Sequence, residues 1–369
     1  MSKSDNTFYH KENKYAIIMA GGVGTRLWPR GTVKTPKQFL DIDNSGESLI
    51  QKTYKRLERI FETTKIFVVT NVSYKSIVKK QITQIPEENI ILEPIGKNTA
   101  PCIGLSCLYI QNFNPNALVL AIPADQLTRN VEEFEKVVKT GLNFVEEQKG
   151  IVTIGITPTK PETGYGYIQY VTDSKIENKE TQVSIYKVKT FAEKPSLEIA
   201  KEFIKSGDFL WNAGMFIFKV NVMMEEIRKH LPDLYNFLDV LSKNIYSKEF
   251  SRILEQTFSQ IKGISIDYGV MEKSDCVYTI KANFDWSDVG SWDEIYNLSK
   301  KDALNNVTQG MTVMINSKNC FVLNEQRITA VVGCEDLIIV DTDNGLLVCK
   351  KGDSQSVREV VDFFKKKRI

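Results

Sequence analysis

The chain has 369 residues, of which 42% are hydrophobic and 25% are charged, and its formal net charge is +2. These values are typical of a globular protein with a sizeable core, and the charge is too small to indicate a nucleic-acid or acidic-membrane partner. Two histidines, His10 and His230, are too few to favour a histidine-ligated metal or a Ser-His-Asp triad. The leader is polar and no apolar stretch reaches the roughly 18–20 residues of a membrane-spanning helix, so we expect a cytoplasmic protein.

Short apolar runs alternate with longer amphipathic runs through the first half of the chain. The predicted strands are residues 16–20, 66–70, 89–92, 117–122 and 151–156. The predicted helices between them are residues 48–61, 73–85, 99–111 and 131–148. Strands of this length separated by helices predict a parallel sheet that is covered by helices on both faces.

The pattern changes after residue 156, where longer strands and then a β-rich module are predicted. The next predicted elements are a β-pair (164–170 and 184–191), a helix (197–205), a strand (215–219), a mostly helical stretch (221–261) and a strand (276–281). Short strands follow at 312–315, 321–323, 328–332, 337–341 and 346–349, and then an amphipathic helix at 355–367. We therefore expect a large domain over residues 1–300 and a small β domain over residues 301–369.

The first predicted strand ends in a loop that is suited to bind phosphate. Glycines allow backbone N–H groups to approach an anion, and nearby cations add fixed positive charge. Ligands of open α/β sheets bind beyond the carboxyl ends of the strands, where this loop lies. The spacing matches neither GxGxxG nor GxxxxGK[ST], and a tight turn with solvated cations is the alternative. The residues concerned are Gly21, Gly22, Gly24, Thr25, Arg26 and Lys37.

Two acids that are far apart in the sequence are candidate metal ligands. Asp125 follows an apolar strand, where it could equally cap a helix, and Asp288 lies in a tryptophan-flanked turn. Two carboxylates beside bound phosphates suit Mg²⁺, which completes its coordination shell with water and phosphate oxygens. The sequence therefore predicts Mg²⁺ as the cofactor.

Eight blocks of the sequence, taken in order, resemble the sugar-1-phosphate nucleotidylyltransferases and, more narrowly, the mannose-1-phosphate guanylyltransferases. The blocks are GGVGTRLWP…PKQF, EPIGKNTAP, PADQ, ETGYGYI, FAEKP, WNAGMF, IDYGVMEK and DWSDVGSW. The resemblance extends from about residue 16 to about residue 292, and the β module resembles the family's C-terminal domain more loosely. It implies an α/β fold, with a Rossmann-like nucleotidyltransferase domain built on a mostly parallel mixed sheet. A small C-terminal, β-helix-like domain that ends in a helix would follow.

The resemblance also implies a reaction, in which GTP and α-D-mannose 1-phosphate give GDP-mannose and pyrophosphate. The loop glycines, Arg26 and Lys37 would hold the triphosphate, and Asp125 and Asp288 would hold Mg²⁺. The implied sugar-phosphate site consists of Gly166, Glu193, Lys194 and Asn212. A homodimer is compatible with the β module, and neither a nucleic-acid nor a membrane partner is expected.

The sequence leaves several residue roles and two alternative functions open. Glu93 could accept from the N1–H and 2-amino groups of guanine, with help from Asn98, or it could cap the helix near residue 99. The family has Leu-Ser-Arg where this chain has Arg30-Gly31-Thr32, so either Arg30 or Lys34 could cover the pyrophosphate. No role for Asp267 follows from the sequence. The alternative functions are a nucleotidylyltransferase for another hexose 1-phosphate and a non-catalytic regulatory subunit of the same fold.

Overall fold

The structure is a computed structural model that describes residues 13–22 and 24–367. The described chain folds into two compact units. The large unit consists of residues 13–21, Thr53–Ala124 and Thr128–Trp286, and the small unit consists of the described residues of Gly22–Lys52, Asp125–Leu127 and residues 287–367. The domain division near residue 300 remains a prediction.

The strands and helices of the described residues follow in chain order. The strands are β1 (Lys14–Met19), β2 (Ile66–Asn71), β3 (Ile90–Glu93), β4 (Leu118–Pro123), β5 (Leu127–Thr128), β6 (Ile151–Ile156), β7 (Gly166–Tyr170), β8 (Ile176–Glu177), β9 (Ser184–Glu193), β10 (Phe209–Lys219), β11 (Val277–Ala282), β12 (Trp286–Ser287), β13 (Val307–Gln309), β14 (Thr312–Ile315), β15 (Phe321–Asn324), β16 (Thr329–Val332), β17 (Leu337–Thr342) and β18 (Gly345–Lys350). The α-helices are α1 (Leu49–Glu58), α2 (Lys75–Gln81), α3 (Thr99–Gln111), α4 (Val131–Glu147), α5 (Leu197–Ser206), α6 (Val220–His230), α7 (Pro232–Ser242), α8 (Phe250–Gln260), α9 (Trp292–Leu298) and α10 (Val357–Lys367).

The large unit is built on one mixed sheet with the strand order β3-β2-β1-β4-β10-β6-β11-β9-β7. The pairs among β1 to β4 are parallel, as the alternation of strands and helices predicts. Ala16, Ile17 and Ile18 of β1 are fully buried, which explains why this strand is apolar throughout. The carboxyl ends of these parallel strands lie at one edge of the sheet, where Gly21 follows β1 and Glu93 ends β3.

The second half of this sheet is more antiparallel than the sequence predicts. β10 pairs antiparallel with β4, β6 and β7, and β9 pairs antiparallel with β11 and β7. β6 and β11 are parallel. The α/β fold class is confirmed, but its sheet is less parallel than expected, because β10 and the β-pair after residue 156 join it as antiparallel strands.

The small unit contains a coil of short parallel strands. Val307 of β13, Phe321 of β15 and Ile338 of β17 are in register, and β14 pairs parallel with β16. A hydrophobic core that includes Trp292 and Phe321 fills the unit. The coil ends in α10, so the predicted β-helix-like domain with a terminal helix is confirmed.

Among the described helices, none combines the length and the apolar character that a bilayer-spanning segment requires. The predicted cytoplasmic location is not tested by this finding and stays a prediction.

Candidate active site

Among the described glycines of the phosphate loop, Gly24 has a backbone conformation that favours glycine. Its φ is +58°, in the left-handed region that residues with a Cβ avoid. A Cβ built on Gly24 would lie 2.5 Å from the Cβ of Lys37 and 3.1 Å from its backbone nitrogen. Gly24 therefore allows the segment that carries Lys37 to pack directly on the loop.

Lys37 joins the two predicted metal ligands within the small unit. Its Nζ lies 2.9 Å from Oδ2 of Asp125 and also donates a hydrogen bond to the backbone carbonyl of Asp288. Lys37 is only 5% exposed, whereas the side chain of Asp125 is 37% exposed. Residues that are 88 and 251 positions from Lys37 in the sequence thus meet at one ammonium group. No helix cap involving Asp125 is present among the described residues.

The turn around Asp288 is closed by a hydrogen bond and lies close to Arg26. Oδ1 of Asp288 accepts a hydrogen bond from the Gly290 N–H at 3.1 Å. A Cβ built on Gly290 would lie 2.9 Å from Oδ2 of Asp288 and 3.3 Å from Nη1 of Arg26, so glycine makes room for both groups. Trp292 is buried and donates from Nε1 to the carbonyl of Trp28 at 3.0 Å, which ties this turn to the end of the phosphate loop.

The β-helix also holds the end of the phosphate loop, which the sequence did not indicate. The carbonyl of Pro29 accepts a hydrogen bond from Nδ2 of Asn344 at 3.2 Å. A Cβ on Gly345 would lie 2.7 Å from the ring of Trp28, so Trp28 packs directly on the β17–β18 turn. Arg30 is paired with Glu325 of the β-helix, with 3.4 Å between Nε and Oε1.

Glu93, at the end of β3, is a buried carboxylate that lacks a hydrogen-bond partner on one oxygen. Glu93 is 3% exposed, and its Oε1 has no partner among the described residues. Its Oε2 would lie 3.4 Å from a Cβ on Gly21, so this carboxylate faces the start of the phosphate loop. Burial raises the pKa of the Glu93 carboxyl to about 7. The helix-cap alternative for Glu93 is wrong, because Asn98 caps α3 by accepting from the Thr99 N–H at 2.8 Å.

The four residues of the predicted sugar-phosphate site come together in the large unit. A Cβ on Gly166 would lie 2.4 Å from Oε2 of Glu193 and 3.3 Å from Cβ of Asn212, so only glycine leaves room for these side chains. Lys194 has a φ of +52°, and its ammonium group contacts Oε1 of Glu193. Asn212 lies at a β-bulge in β10, a feature that often redirects side chains next to active sites.

Asp267 belongs to this same cluster. Its Oδ1 accepts a hydrogen bond from Nδ2 of Asn212 at 2.8 Å. Burial, and then the nearby Glu193 carboxylate, raise the pKa of Asp267 to about 6. No sequence signal identified this contact, because the two residues are 55 positions apart and belong to different motifs.

The predicted magnesium site depends on two carboxylates of the small unit. Asp125 and Asp288 supply these carboxylates, and among the described residues no group of three or more acidic, cysteine or histidine side chains could hold a metal ion. Mg²⁺ characteristically takes only one or two protein carboxylates together with water and phosphate oxygens, in contrast to metals that require an all-protein cage. The solvent exposure of Asp125 leaves this carboxylate accessible to a cation.

The predicted site residues thus form groups, each within one unit. Lys37, Asp125, Asp288, Arg26 and Gly24 are neighbours in the small unit. This unit also contains Thr25 and Gly22. The carbonyl of Gly22 accepts a hydrogen bond from Nε2 of Gln38 at 2.9 Å. The large unit holds the Gly21–Glu93 pair, Asn98 and the sugar-phosphate group. The chemical role of each of these residues remains a prediction.

Comparison with known proteins identifies the family. The chain matches the Nucleotidyl transferase family over residues 15–305 and the MannoseP isomerase/GMP-like beta-helix domain over residues 310–363. It is 38% identical to a mannose-1-phosphate guanylyltransferase of Salmonella montevideo over 353 residues, which cover 95% of this chain and 73% of that protein. A mannose-1-phosphate guanylyltransferase of Escherichia coli is 37% identical over 350 residues, with coverages of 94% and 74%.

A solved structure agrees with the sequence matches. The crystal structure of mannose-1-phosphate geranyltransferase from Thermus thermophilus superposes with a TM-score of 0.83 at 30% identity, covering 96% of this chain and 99% of that one. The mannose-6-phosphate isomerase of Helicobacter pylori superposes with a TM-score of 0.61 at 26% identity, covering 74% of this chain and 99% of that one. The resemblance that the sequence blocks indicated is thereby confirmed. The chain belongs to the mannose-1-phosphate guanylyltransferase family of nucleotidyltransferase enzymes.

Proposed function

We propose that this enzyme transfers a guanylyl group from GTP to α-D-mannose 1-phosphate, which gives GDP-mannose and pyrophosphate. The observation that carries the proposal is the meeting of Lys37 with Asp125 and Asp288 beside Gly24. A lysine and two aspartates beside a glycine-containing loop are suited to bind a polyphosphate together with a metal ion. All four of these residues belong to sequence motifs of this family. The names of the relatives, mannose-1-phosphate guanylyltransferase, support the choice of substrates.

The chemistry requires charge neutralisation more than it requires proton transfer. An oxygen of the sugar phosphate attacks the α-phosphorus of GTP, a new P–O bond forms, and the bond to the β-phosphate breaks with its electron pair leaving on pyrophosphate. The attacking phosphate is already an anion at neutral pH, so the reaction needs no general base. Lys37 and Arg26 would offset the repulsion between the two anions and stabilise the charge on the leaving group.

We propose Mg²⁺ as the cofactor, with Asp125 and Asp288 as its protein ligands. When bound, a divalent ion would stabilise negative charge on the phosphate oxygens. Lys37, which contacts both of these acids, would keep them in place when the substrates bind. Because Glu325 already engages Arg30, we also propose that the exposed Lys34, and not Arg30, covers the pyrophosphate.

In the sugar-phosphate group, we propose that Lys194 contacts the phosphate of mannose 1-phosphate and that Asn212 and Glu193 contact its hydroxyls. Lys194 is the cation of this cluster, and its side chain is more than half exposed. Gly166 provides the space in which the Glu193 carboxylate lies. These contacts would position the nucleophile, which is the main demand of an in-line displacement.

The test is pyrophosphate release from purified enzyme across a panel of nucleoside triphosphates and sugar 1-phosphates, with and without a metal chelator. We expect the highest kcat/KM with GTP and mannose 1-phosphate, and loss of activity with chelator that added Mg²⁺ restores. A preference for another hexose 1-phosphate would favour the first alternative function. Absence of turnover with every pair would favour a regulatory subunit.

We further propose that Glu93 selects guanine, and we predict that Glu93→Gln weakens this selection. An ionised carboxylate can accept from N1–H and the 2-amino group together, whereas the amide of glutamine offers one acceptor and places a donor opposite a donor. The ratio of kcat/KM for GTP to that for ATP, measured at pH 8, should fall at least roughly tenfold. An unchanged ratio would contradict this role. Glu88→Gln, an exposed substitution nearby, is the control that should leave the ratio unchanged.

The same substitution should stabilise the ligand-free protein at high pH. The pKa of Glu93 is about 7 in the folded state against 4.5 for an ordinary glutamate, so the folded state binds the proton more tightly. Ionisation of Glu93 therefore lowers the free energy of unfolding. This loss is absent below pH 4.5, grows as the pH rises towards 7, and reaches its full value of roughly 3 kcal/mol above pH 7. Glu93→Gln should therefore raise the thermal midpoint at pH 8 but not at pH 4.

We also propose a homodimer that forms through the β-helix, and we predict that Ile315→Lys dissociates it. Val313 and Ile315 of β14 and Val332 of β16 form an exposed apolar face on two paired strands, next to exposed Met311 and Ile328. Sedimentation should give a dimeric mass for the wild-type protein and a monomeric mass for Ile315→Lys. Val240→Lys, on an exposed position of α7, should stay dimeric. A monomeric wild-type protein would contradict this proposal.

A further inference from the structure

The segment 267–272 contacts both of the motifs that form the sugar-phosphate group. It begins with a π-helical turn, Asp267–Met271, a rare conformation that is often found at functional sites. Asp267 accepts from Asn212 at 2.8 Å, and Oε1 of Glu272 accepts from the backbone N–H of Glu193 at 3.2 Å. The hydroxyl of Tyr268 donates to the carbonyl of Glu193 over a longer distance of 3.4 Å.

The contact with Asp267 fixes the orientation of the Asn212 amide. Oδ1 of Asn212 accepts from the hydroxyl of Thr153 at 2.9 Å and from the N–H of Gly214 at 3.0 Å. If the amide were turned over, its NH₂ group would face the N–H of Gly214, and its oxygen would face the Asp267 carboxylate. The network therefore allows one orientation, in which the oxygen is saturated and one N–H is directed to Asp267.

This orientation decides what Asn212 can do for a ligand. With both acceptor positions of its oxygen used by Thr153 and Gly214, Asn212 can offer a ligand only its second N–H. An N–H donor can bind an oxygen of a sugar hydroxyl or of a phosphate. Asn212 therefore contributes as a donor, and Asp267 determines the direction of the donated proton.

The contact with Glu272 supports a backbone conformation that is costly by itself. Lys194 has a φ of +52°, which for a residue with a Cβ requires support from its surroundings. The N–H of Glu193, immediately before it, is held by Glu272, and the N–H of Lys194 donates to the carbonyl of Tyr165 at 3.1 Å. Together these bonds direct the Lys194 side chain away from the orientation that an extended strand would give it.

We infer that the segment 267–272 is the positioning element of the sugar-phosphate site. Asp267 orients the Asn212 amide so that its second N–H is directed to an oxygen of the sugar phosphate. Glu272 stabilises the backbone conformation of Glu193 and Lys194. The inference rests on the proposed function, and it gives a role to the IDYGVMEK motif. Asp267 is a positioning residue, since it acts through Asn212.

The test separates positioning from charge and from folding. Asp267→Ala should raise the KM for mannose 1-phosphate roughly tenfold or more while the KM for GTP changes less than about twofold. Asp267→Asn should stay within about threefold of the wild type, because its amide oxygen can accept the same hydrogen bond. Asp275→Ala, an aspartate outside the motif whose side chain is 96% exposed, is the matched control and should match the wild type in both constants.

Each result supports or overturns the inference. Unchanged KM values in Asp267→Ala overturn it, as does equal damage in Asp267→Asn and Asp267→Ala, which would assign the effect to charge. If Asp267→Ala fails to fold, Glu272→Gln provides the second test, and a selective rise in the KM for mannose 1-phosphate is again expected. A wild-type enzyme without activity on GTP and mannose 1-phosphate overturns the proposed function itself, and this inference with it; that result is seen before any variant is compared.

Discussion

Lys37→Met is expected to lower kcat/KM of the proposed transfer reaction by roughly a hundredfold to a thousandfold. Lys37 is almost fully buried, and its ammonium group contacts the carboxylate of Asp125 and the carbonyl of Asp288. Removing it takes away a fixed positive charge where two anions must approach each other. It also removes the link between the Asp125 carboxylate and the backbone of Asp288, so we expect the proposed metal ligands to lose their arrangement.

The same substitution should leave the fold intact, which makes the result interpretable. Methionine has nearly the shape of lysine without its charge, and replacing one member of a buried ion pair by an apolar isostere is damaging mainly when the partner is left buried. Asp125 remains more than a third exposed, so water can solvate it after the substitution. We therefore expect a change of only about 1 kcal/mol in the free energy of unfolding.

The matched control is Lys52→Met, which removes a lysine from another lysine–aspartate pair in the small unit. Lys52 contacts Asp43 at the surface, and within the described residues its recorded ion pair and side-chain hydrogen bonds are with Asp43 alone. Steady-state kinetics with GTP and mannose 1-phosphate, together with thermal melts, should show normal turnover for Lys52→Met and near-normal stability for both variants. Normal turnover in Lys37→Met would exclude Lys37 from the reaction.

The sequence predicted those parts of the fold that local patterns determine. Helix α3 runs over Thr99–Gln111, as predicted, because Asn98 caps it and its residues from Ala100 to Leu108 are all buried. Strand β6, Ile151–Ile156, is also correct at both ends, because all of its residues are buried. Patterns of this kind extend over roughly five to fifteen residues and need no knowledge of the rest of the chain.

Strand β10 shows where local patterns fail. The local pattern predicts a strand only at residues 215–219, whereas β10 begins at Phe209. The bulge between Asn212 and Phe216 and the left-handed Gly214 interrupt the alternation of side chains, so the sequence carries no continuous strand pattern over residues 209–219. The bulge that makes the first part of this strand hard to recognise from the sequence also helps to orient Asn212, because the Gly214 N–H within it donates to Oδ1 of Asn212.

Contacts between distant segments could not be predicted in detail from a single sequence. Arg26, Lys37 and the two acids were identified from residue chemistry and family resemblance, but nothing in the sequence indicated that Lys37 joins the acids. The attachment of Trp28 to Trp292 and to the turn at Gly345 was missed for the same reason. Such contacts depend on tertiary packing, which leaves no periodic signal in either segment.

Gly24→Ala is the second substitution for which we expect a large effect, because it combines backbone strain with a direct clash. An alanine at a φ of +58° costs roughly 1–2 kcal/mol by itself. Its Cβ would also lie 2.5 Å from the Cβ of Lys37, which belongs to the stiff part of that side chain, so either the loop or Lys37 must move. A displacement of about 1 Å at a positioned catalytic group can cost roughly a hundredfold in rate. We therefore expect kcat to fall by at least that factor and the free energy of unfolding to fall by roughly 1–3 kcal/mol.

Gly22→Ala separates the two reasons for a glycine in this loop. A Cβ on Gly22 meets no heavy atom of the described residues within 4 Å, so the thermal midpoint of this variant should equal that of the wild type. If the backbone at Gly22 approaches the triphosphate, the added methyl group should nevertheless raise the KM for GTP. Kinetics and thermal melts of both variants therefore distinguish a glycine that the loop requires from one that the ligand requires. Wild-type stability and turnover in Gly24→Ala would show that the loop tolerates a Cβ beside Lys37, and the proposed dependence of the site on this packing would be wrong.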